Sequence, residues 1–201
     1  MFPQEGETKP RVRFKGFEGK WEKLKADVIF KTFNEKNLPH LPVLSATQDR
    51  GMVMREEIGY NIFHDKSNEK TYKHILPGQF VIHLRSFQGG FAHSSIEGIA
   101  SPAYTVMEFK NKSEHSDFFW KYIFMSKEFI KRLELITYGI RDGRSISFEE
   151  FSEMYFLAPS YEEQTAIASF FINLDKQITL QTQRLEKLKQ IKSACLDNMF
   201  V

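Results

Sequence analysis

Cysteine, net charge and long apolar runs are all scarce in this 201-residue sequence. The single cysteine, Cys195, excludes an intrachain disulfide and any zinc site built from several cysteines. No run approaches the roughly 18 apolar residues of a membrane-spanning helix, and the start has no signal-peptide pattern, so we expect a cytoplasmic chain without a membrane partner. The net charge of +2 neither requires nor excludes nucleic acid.

Glycine and proline are absent between Glu162 and Phe200. Apolar residues recur there at steps of three and four, which predicts a helix with a coiled-coil seam, a stripe that packs on another helix. At about 1.5 Å per residue the helix would run about 58 Å, so it should protrude beyond a small domain. We expect dimerisation through the seam residues Phe171, Leu174, Ile178, Leu185, Leu188 and Met199, with Gln181 and Lys192 as polar interruptions.

The rest of the chain is rich in aromatic residues, and phenylalanine alone accounts for 20 positions of the sequence. Short apolar runs between turn residues predict a mixed α/β (α+β) fold, a mostly antiparallel sheet or partial barrel. We divide the chain into a head, residues 1–159, and an arm, residues 160–201. The predicted elements of the head are strands at 41–45, 80–84 and 155–158, a hairpin-like pair at 96–100 and 103–109, a loop at 86–95, and helices at 117–136 and 147–154.

Two short motifs raise the question of catalysis. Ser101-Pro102-Ala103-Tyr104 is one substitution from a motif of amino-methyltransferases, but no glycine-rich cofactor loop precedes it. Glu108-Phe109-Lys110 fits the last part of a metal-nuclease signature without an obvious partner aspartate. The six histidines show no paired metal-ligand spacing. We therefore assign no catalytic residue, no metal site and no cofactor to this chain.

Several segments, in order, resemble the specificity subunit of type I restriction–modification systems. The segments are GETKPRVRFKGFEGKWEKLK, TYKHILPGQFVIHLRSFQGGFA, GIASPAYTVM, YGIRDGRSISFEEFSEMYFLAPSYEEQTAIASFFINLDKQITLQ and LEKLKQIKSACLDNMF. The fourth includes the pattern P..EEQ..I..F...LD..I at the entry to the family's long helix. One departure is Gln79, where aspartate is usual after Pro-Gly.

The resemblance implies a non-catalytic chain that supplies DNA specificity. A full subunit carries two target recognition domains, each reading one part of a split sequence, and two long helices that pair antiparallel, set the spacing and dock two modification subunits. This chain is similar to one half, either a C-terminal half, a natural half-subunit that forms a homodimer, or a fragment. The implied partners are double-stranded DNA, modification subunits that bind S-adenosylmethionine, and, indirectly, restriction subunits.

Two loops and one lysine are the predicted DNA contacts. In the first loop arginine and glutamine can read base edges, and a double glycine allows close approach; the alternative is a glycine hairpin with a surface charge. In the second loop two arginines and a serine suit a phosphate clamp; the alternative is a local ion pair. The predicted residues are Arg85, Ser86, Gln88, Gly89, Arg141, Arg144, Ser145 and Lys73.

Two other functions stay open on sequence grounds. The chain is alternatively a coiled-coil interaction module whose head binds a protein rather than DNA, which the near-neutral charge allows. It is also compatible with the detached recognition region of a fused methyltransferase–nuclease. Further polar loops, at 45–50 and 66–73, are secondary candidates for DNA contact.

Overall fold

The structure is a computed structural model that describes residues 2–3, 6–47, 49–58, 66–83, 90–137 and 146–199. The strands are β1 (Glu22–Lys25), β2 (Phe30–Phe33), β3 (Leu44–Thr47), β4 (Gly51–Met54), β5 (Lys73–Ile75), β6 (Phe80–Ile82), β7 (Phe91–His93), β8 (Gly98–Ala100), β9 (Thr105–Phe109) and β10 (Tyr155–Ala158). The helices are α1 (Ala26–Ile29), α2 (Asp117–Met125), α3 (Lys127–Thr137), α4 (Phe148–Ser152) and α5 (Tyr161–Met199), with 3₁₀ helices at Arg55–Ile58 and Lys66–Thr71.

A four-stranded antiparallel sheet with the order β2-β9-β6-β7 lies at the centre of the head. In β6, Phe80 and Ile82 point to one face and Val81 to the other, because successive side chains of a strand alternate. All three are buried, so both faces of the sheet are covered. The short, buried strand predicted after Pro77-Gly78 is confirmed for these residues.

Aromatic side chains dominate the larger core, between one face of the sheet and helices α2, α3 and α4. Phe30 is fully buried at its centre, with its ring centroid 5.0 Å from that of Phe109 and 5.2 Å from that of Trp120. Such ring pairs contribute about 0.5–1.5 kcal/mol beyond the burial of their area. The heavy use of phenylalanine therefore reflects this core.

A smaller core covers the opposite face of the sheet. Leu44 and Met52 from the β3–β4 pair, and Ile75 from the β5–β8 pair, pack with Val81 and Val106 of the sheet. The approach is close at Gly98, where an added Cβ would lie 2.5 Å from the carbonyl oxygen of Pro42. Glycine is required at that position by sterics.

The arm emerges from the side of the head where β1 pairs antiparallel with β10. Ser160 precedes α5, and its Oγ accepts a hydrogen bond from the backbone N–H of Glu163 at 3.4 Å. The first turns of α5 bury Ile167 and Ala168, whereas every residue from Asn173 to Met199 is exposed. The predicted fold, a mixed α/β head with antiparallel sheets followed by one long helix, is confirmed.

Two predicted elements are wrong in their pairing or extent. The segments at 96–100 and 103–109 do not form a hairpin, because β8 pairs with β5 while β9 lies between β2 and β6. The turn at Ser101-Pro102 redirects the chain from one sheet to another. The loop predicted at 86–95 contains β7, whose three residues pair with β6.

The helix predicted at 117–136 is two helices, because Ser126 interrupts it with an extended backbone. The hydroxyl of Ser126 donates to the carbonyl of Ile123 and accepts from the N–H of Phe129. A serine side chain that bonds nearby backbone groups competes with the helical hydrogen bonds. The capping box of Ser147 and Glu150 is confirmed at the start of α4.

Candidate nucleic-acid interface

One end of the central sheet carries Lys73 close by and holds both attachment points of the first predicted DNA loop. Antiparallel register brings the end of β2, the start of β9, the end of β6 and the start of β7 together, through the pairs Phe33–Val106, Ile82–Thr105 and Ile82–Phe91. We call this region the loop end, defined by residues 34–36, 83, 90 and 101–104. The strands give these residues a rigid base.

The first predicted loop is attached to the loop end. Arg85, Ser86, Gln88 and Gly89 lie in residues 84–89, outside the described residues. Their attachment is described on both sides, because the N–H of His83 donates to the carbonyl of Gly90 at 2.9 Å. Burial lowers the pKa of His83, whose ring centroid lies 6.3 Å from that of Tyr104. A neutral imidazole is therefore favoured beside this loop.

Lys73, the described member of the predicted DNA contacts, lies at the same end. Its Nζ donates to the carbonyl oxygen of Tyr104 at 2.6 Å, and its backbone forms a β-bridge with Lys36. Burial, together with the charge of Lys36, lowers the pKa of Lys73. An ammonium has three N–H donors, so the bond to Tyr104 leaves two for another acceptor. A DNA contact by Lys73 stays a prediction.

The secondary candidate loops lie at opposite ends of the sheet. The 3₁₀ helix Lys66–Thr71 adjoins the loop end, because the N–H of Asn37 donates to the carbonyl of Lys70. The β3–β4 turn lies at the other end, where Gly51 packs against the carbonyl of His93. Ser45 of β3 is buried, and its hydroxyl accepts a hydrogen bond from Nε of Arg55. Ser45 therefore does not lie at the loop end.

The second predicted loop, with Arg141, Arg144 and Ser145, also lies outside the described residues, within 138–145. It connects α3 to α4. Phe129 of α3 and Phe151 of α4 both pack on Phe91, at ring-centroid distances of 5.1 and 5.2 Å. Because Phe91 follows Gly90 at the loop end, the elements that carry the second loop pack against the strand that carries the first.

The two enzyme-like motifs have structural partners. Ser101-Pro102-Ala103-Tyr104 forms a turn in which the N–H of Tyr104 donates to the carbonyl of Ser101 at 3.1 Å. The carboxylate of Glu108 lies 3.1 Å from Nζ of Lys31 and accepts from Nε2 of Gln79 at 3.2 Å. The contacts of the first motif fit a turn that begins β9. Those of Glu108 in the second motif fit an ion-pair cluster.

A histidine between two carboxylates joins the loop end to two neighbouring segments of the chain. Nδ1 of His74 lies 2.6 Å from Glu35, and Nε2 lies 2.9 Å from Glu97. Burial alone lowers the pKa of His74, but the hydrogen bonds to the two carboxylates outweigh it, and the net pKa is raised. The imidazolium therefore joins β5 to the segments after β2 and before β8.

The base of the arm is held by side chains one or two helical turns apart on α5. Glu163 forms a bidentate pair with Arg13, at 2.7 Å to Nε and 2.6 Å to a terminal nitrogen. Phe171 stacks on Phe2, with ring centroids 5.9 Å apart. Asp175 accepts from the hydroxyl of Tyr122 at 2.6 Å, and burial together with this bond raises the pKa of Tyr122.

Gln164 completes this head–arm junction, which we define as Glu163, Gln164, Ile167, Phe171 and Asp175. The buried amide of Gln164 accepts from the N–H of Ser116 and donates to the carbonyls of Glu114 and Pro159. Residues three and four apart share a helix face, so the motif EQ..I...F...D, residues 163–175, forms one stripe facing the head. The sequence contains this signal, two acidic residues and two apolar residues in one register, but their partners are distant in the chain.

The family model of the type I restriction modification DNA specificity domain matches residues 19–190. The chain belongs to this family. The match includes the central sheet, the loop end, the junction and most of α5. No curated protein matches the chain.

Three solved structures share the fold of this specificity-domain chain. A chain from a study of complex assembly and conformational transition of the type I R-M system aligns with a TM-score of 0.58 at 16% identity. The HsdS subunit from Thermoanaerobacter tengcongensis aligns at 0.55 and 15%, and the S subunit from M. genitalium at 0.50 and 15%. The alignments cover 98%, 99% and 90% of this chain but 47%, 47% and 46% of those chains. This chain therefore spans a little under half their length.

The departure at Gln79 has a structural reason in this specificity-domain chain. Gln79 is buried, and its Oε1 accepts from the N–H of Leu76 while its Nε2 donates to Glu108. An aspartate can accept from the turn but cannot donate to a carboxylate. Glutamine therefore serves both partners.

The predicted seam residues lie along the exposed part of α5, except that Phe171 is half-buried against the head. The exposed fraction is 41% for Leu174, 57% for Ile178 and 52% for Leu185. In the described part of the chain, no helix is long and apolar enough to cross a membrane. The role of these residues in dimerisation stays a prediction.

The His74 contact predicts a pH-dependent stability. The pKa of His74 is raised in the folded state, so its contribution is fully present below the unfolded pKa of about 6.5 and is lost as pH rises through the folded value. The difference in melting temperature between the wild type and His74→Gln should shrink from pH 5.5 to pH 9. The exposed His40→Gln variant is the control, and a gap that stays constant with pH would contradict the prediction.

Proposed function

We propose that this chain is a DNA specificity component of a type I restriction–modification enzyme, whose head reads one part of a bipartite target. The arm pairs with a second long helix, fixes the distance between the two heads and, with the heads, docks modification subunits. The observation that carries the proposal is the loop end. There the segment 84–89, which contains Arg85 and Gln88, is attached to the β6–β7 hairpin near Lys73 and Lys36, in a chain of the DNA specificity family.

The residues of the two loops, together with what the family implies, suggest a division of chemistry between this chain and its partners. Base edges in the major groove are read by forked donors and amides, which the first loop supplies, and phosphates are held by arginine and serine, which the second loop supplies. Methyl transfer, with S-adenosylmethionine, belongs to the modification subunit, and restriction subunits join through that partner. This chain contributes recognition and scaffold.

A protein-binding function is the second candidate, and the acidic residues near the loop end favour it. Glu35 belongs to the loop end, Glu97 is joined to Glu35 through His74, and the net charge is only +2. A head that binds a protein rather than DNA would suit such a mixed surface. Salt dependence separates the two functions, because phosphate contacts release counterions and protein contacts do not.

The proposal predicts two classes of loop variant in DNA-binding titrations at several salt concentrations. Arg85→Ala or Gln88→Ala should cost roughly 1–3 kcal/mol on the cognate site and relax preference at one base position. Arg141→Ala or Arg144→Ala should weaken binding to all sequences and flatten the salt slope by about one unit each. The cognate site comes from mapping methylated bases in cells that carry this chain with its modification subunit.

Arg50→Ala is the matched control, because it removes the same charge at the β3–β4 turn, the opposite end of the sheet. It should leave affinity and salt slope unchanged. Unaltered binding by all four loop variants, or a loss confined to Arg50→Ala, would place the DNA surface elsewhere. Binding without salt dependence would favour the protein-binding alternative.

A further inference from the structure

His74 lies buried between two carboxylates at the border of the loop end. Its side chain is 8% exposed, whereas those of Glu35 and Glu97 are 54% and 51% exposed. Nδ1 of His74 lies 2.6 Å from the carboxylate of Glu35, and Nε2 lies 2.9 Å from that of Glu97. Each ring nitrogen therefore has a hydrogen-bond acceptor, and each acceptor is also open to solvent.

The two acceptors require a doubly protonated ring. An imidazolium has two N–H donors, whereas a neutral imidazole has one donor and one lone pair. A neutral His74 can keep one carboxylate, but its lone pair would face an oxygen of the other. Burial opposes the charged form, but the hydrogen bonds to Glu35 and Glu97 together outweigh it, so the pKa of His74 is raised. Loss of the proton therefore releases one of the two carboxylates.

The backbone beside His74 carries cations of the loop end. The N–H of His74 donates to the carbonyl of Glu35 at 2.8 Å, and the adjoining residues Lys73 and Lys36 form a β-bridge. Nζ of Lys73 donates in turn to the carbonyl of Tyr104. The segment that Glu35 fastens to His74 is thus the segment that holds Lys36 next to Lys73.

We propose that His74 is a positioning residue of the DNA interface. Its imidazolium neutralises and holds the two carboxylates, which leaves Lys36 and Lys73 as attractive partners for phosphates. The inference rests on the proposed function, to which it adds regulation by protons. When the ring is neutral, the group of two lysines, two carboxylates and one imidazole loses one unit of positive charge, and a carboxylate is freed beside the cations. Both changes weaken the attraction to a polyanion.

The charged groups around the ring come from three parts of the chain. Among the described residues, the segment after β2 brings Glu35 and Lys36, the segment before β8 brings Glu97, and β5 itself brings Lys73. Phe33 of β2 packs on the ring, with centroids 6.1 Å apart, and is apolar. Burial and the charge of Lys36 lower the pKa of Lys73, so the ammonium of Lys73 can lose its proton at the alkaline end of a pH series. A variant of His74 separates the two protons.

DNA binding measured over a range of pH tests the inference. The probe is a mixed-sequence duplex at low, constant salt, where phosphate contacts dominate binding. From pH 6 to pH 9 the dissociation constant of the wild type should rise roughly three- to tenfold, which is the effect of one unit charge close to phosphates. His74→Gln should bind at every pH about as weakly as the wild type binds at high pH. The exposed His40→Gln variant is the matched control, and it should keep the wild-type profile.

Glu97→Gln distinguishes control by charge from mechanical support. This variant loses a contact of His74 but removes one negative charge, which compensates for the loss of the proton. It should therefore bind at high pH about as tightly as the wild type binds at low pH. Its transition should also move to lower pH, because His74 keeps one anionic partner instead of two. Weaker binding of Glu97→Gln than of the wild type at every pH is the result of a purely structural contact and would overturn the inference.

Reciprocity supplies a readout that needs no variant. If protonation of His74 favours DNA, then DNA must raise the pKa of His74 by the same coupling. The chemical shifts of the ring protons, followed by NMR over the pH range with and without the duplex, measure both pKa values, and equal values would overturn the inference. A wild type without salt-dependent DNA binding at any pH would overturn the proposed function together with this inference. Salt-dependent binding with the same affinity at pH 6 and pH 9 would overturn this inference alone.

Discussion

Replacing Glu163 by alanine should lower the free energy of unfolding by about 3 kcal/mol, because it removes the buried partner of the ion pair with Arg13. This is the largest stability loss that we expect from a single substitution in the head–arm junction. The side chain of Glu163 is 2% exposed and that of Arg13 is 17% exposed, and the two form a bidentate pair. The hydrogen bonds that Arg13 donates to Glu163, acting against burial, raise the pKa of Arg13. Arg13 also donates to the carbonyls of Glu18 and Gly19, so the variant leaves a fixed cation without its anion.

Chemical denaturation of the purified variant measures this loss. Glu162→Ala is the matched control, because it removes the same charge from the adjacent, exposed position of α5, and it should cost less than about 1 kcal/mol. Glu163→Gln should fall between the two, since an amide keeps one acceptor for Arg13. Equal losses for Glu162→Ala and Glu163→Ala would contradict the role of this pair in the head–arm junction.

The same junction explains why the long helix was predictable from the sequence and its attachment was not. Helix propensity and the absence of glycine and proline are local properties, so residues 160–201 predict a helix that the structure confirms for Tyr161–Met199. Arg13 and Glu163 are 150 residues apart. Nothing local links them, and Phe171 fits the seam spacing while its ring packs on Phe2.

In the head, too, the sequence predicts local features of the strands but not their pairing. The limits of the strand Tyr155–Ala158 and the capping box at the start of α4 could be predicted from neighbouring residues, and both predictions are confirmed. The pairing of β9 with β2 and β6 joins segments far apart in the chain. Adjacent strands often pair, which favoured a hairpin at 96–109, but β8 pairs with β5 while β9 lies between β2 and β6.

The candidate DNA contacts were predictable in type and not in position. Glycine beside arginine and glutamine marks a loop that can approach DNA, and this inference needs no distant residue. The position of Lys73 beside Tyr104 and Lys36 depends on the register of β5 with β8 and on a bridge to the segment after β2. Composition gave no sign of this grouping, because the net charge of the whole chain is close to zero.

Replacing Leu185 by aspartate should convert a dimer of this chain into a monomer. Leu185 is a residue of the predicted seam, so the pair would bury each new carboxylate, and a buried, unpaired charge costs several kcal/mol. Two such sites in each dimer should raise the dissociation constant by roughly a thousandfold or more. Light scattering or sedimentation equilibrium over a range of concentrations measures the change.

The DNA readout of Leu185→Asp separates the head from the arm. Identical heads on a twofold dimer read identical half-sequences in opposite directions, so the dimer should prefer an interrupted palindrome. A monomer should bind a single half-sequence with unchanged affinity and lose the added affinity that two linked sites provide. Gln183→Asp, which adds the same charge at an exposed position off the seam, should remain a dimer and keep the palindromic preference. If Leu185→Asp remained dimeric at concentrations where the wild type is dimeric, the pairing surface would lie outside the predicted seam. If the variant also failed to bind the half-sequence, recognition would depend on the arm and not on the head alone.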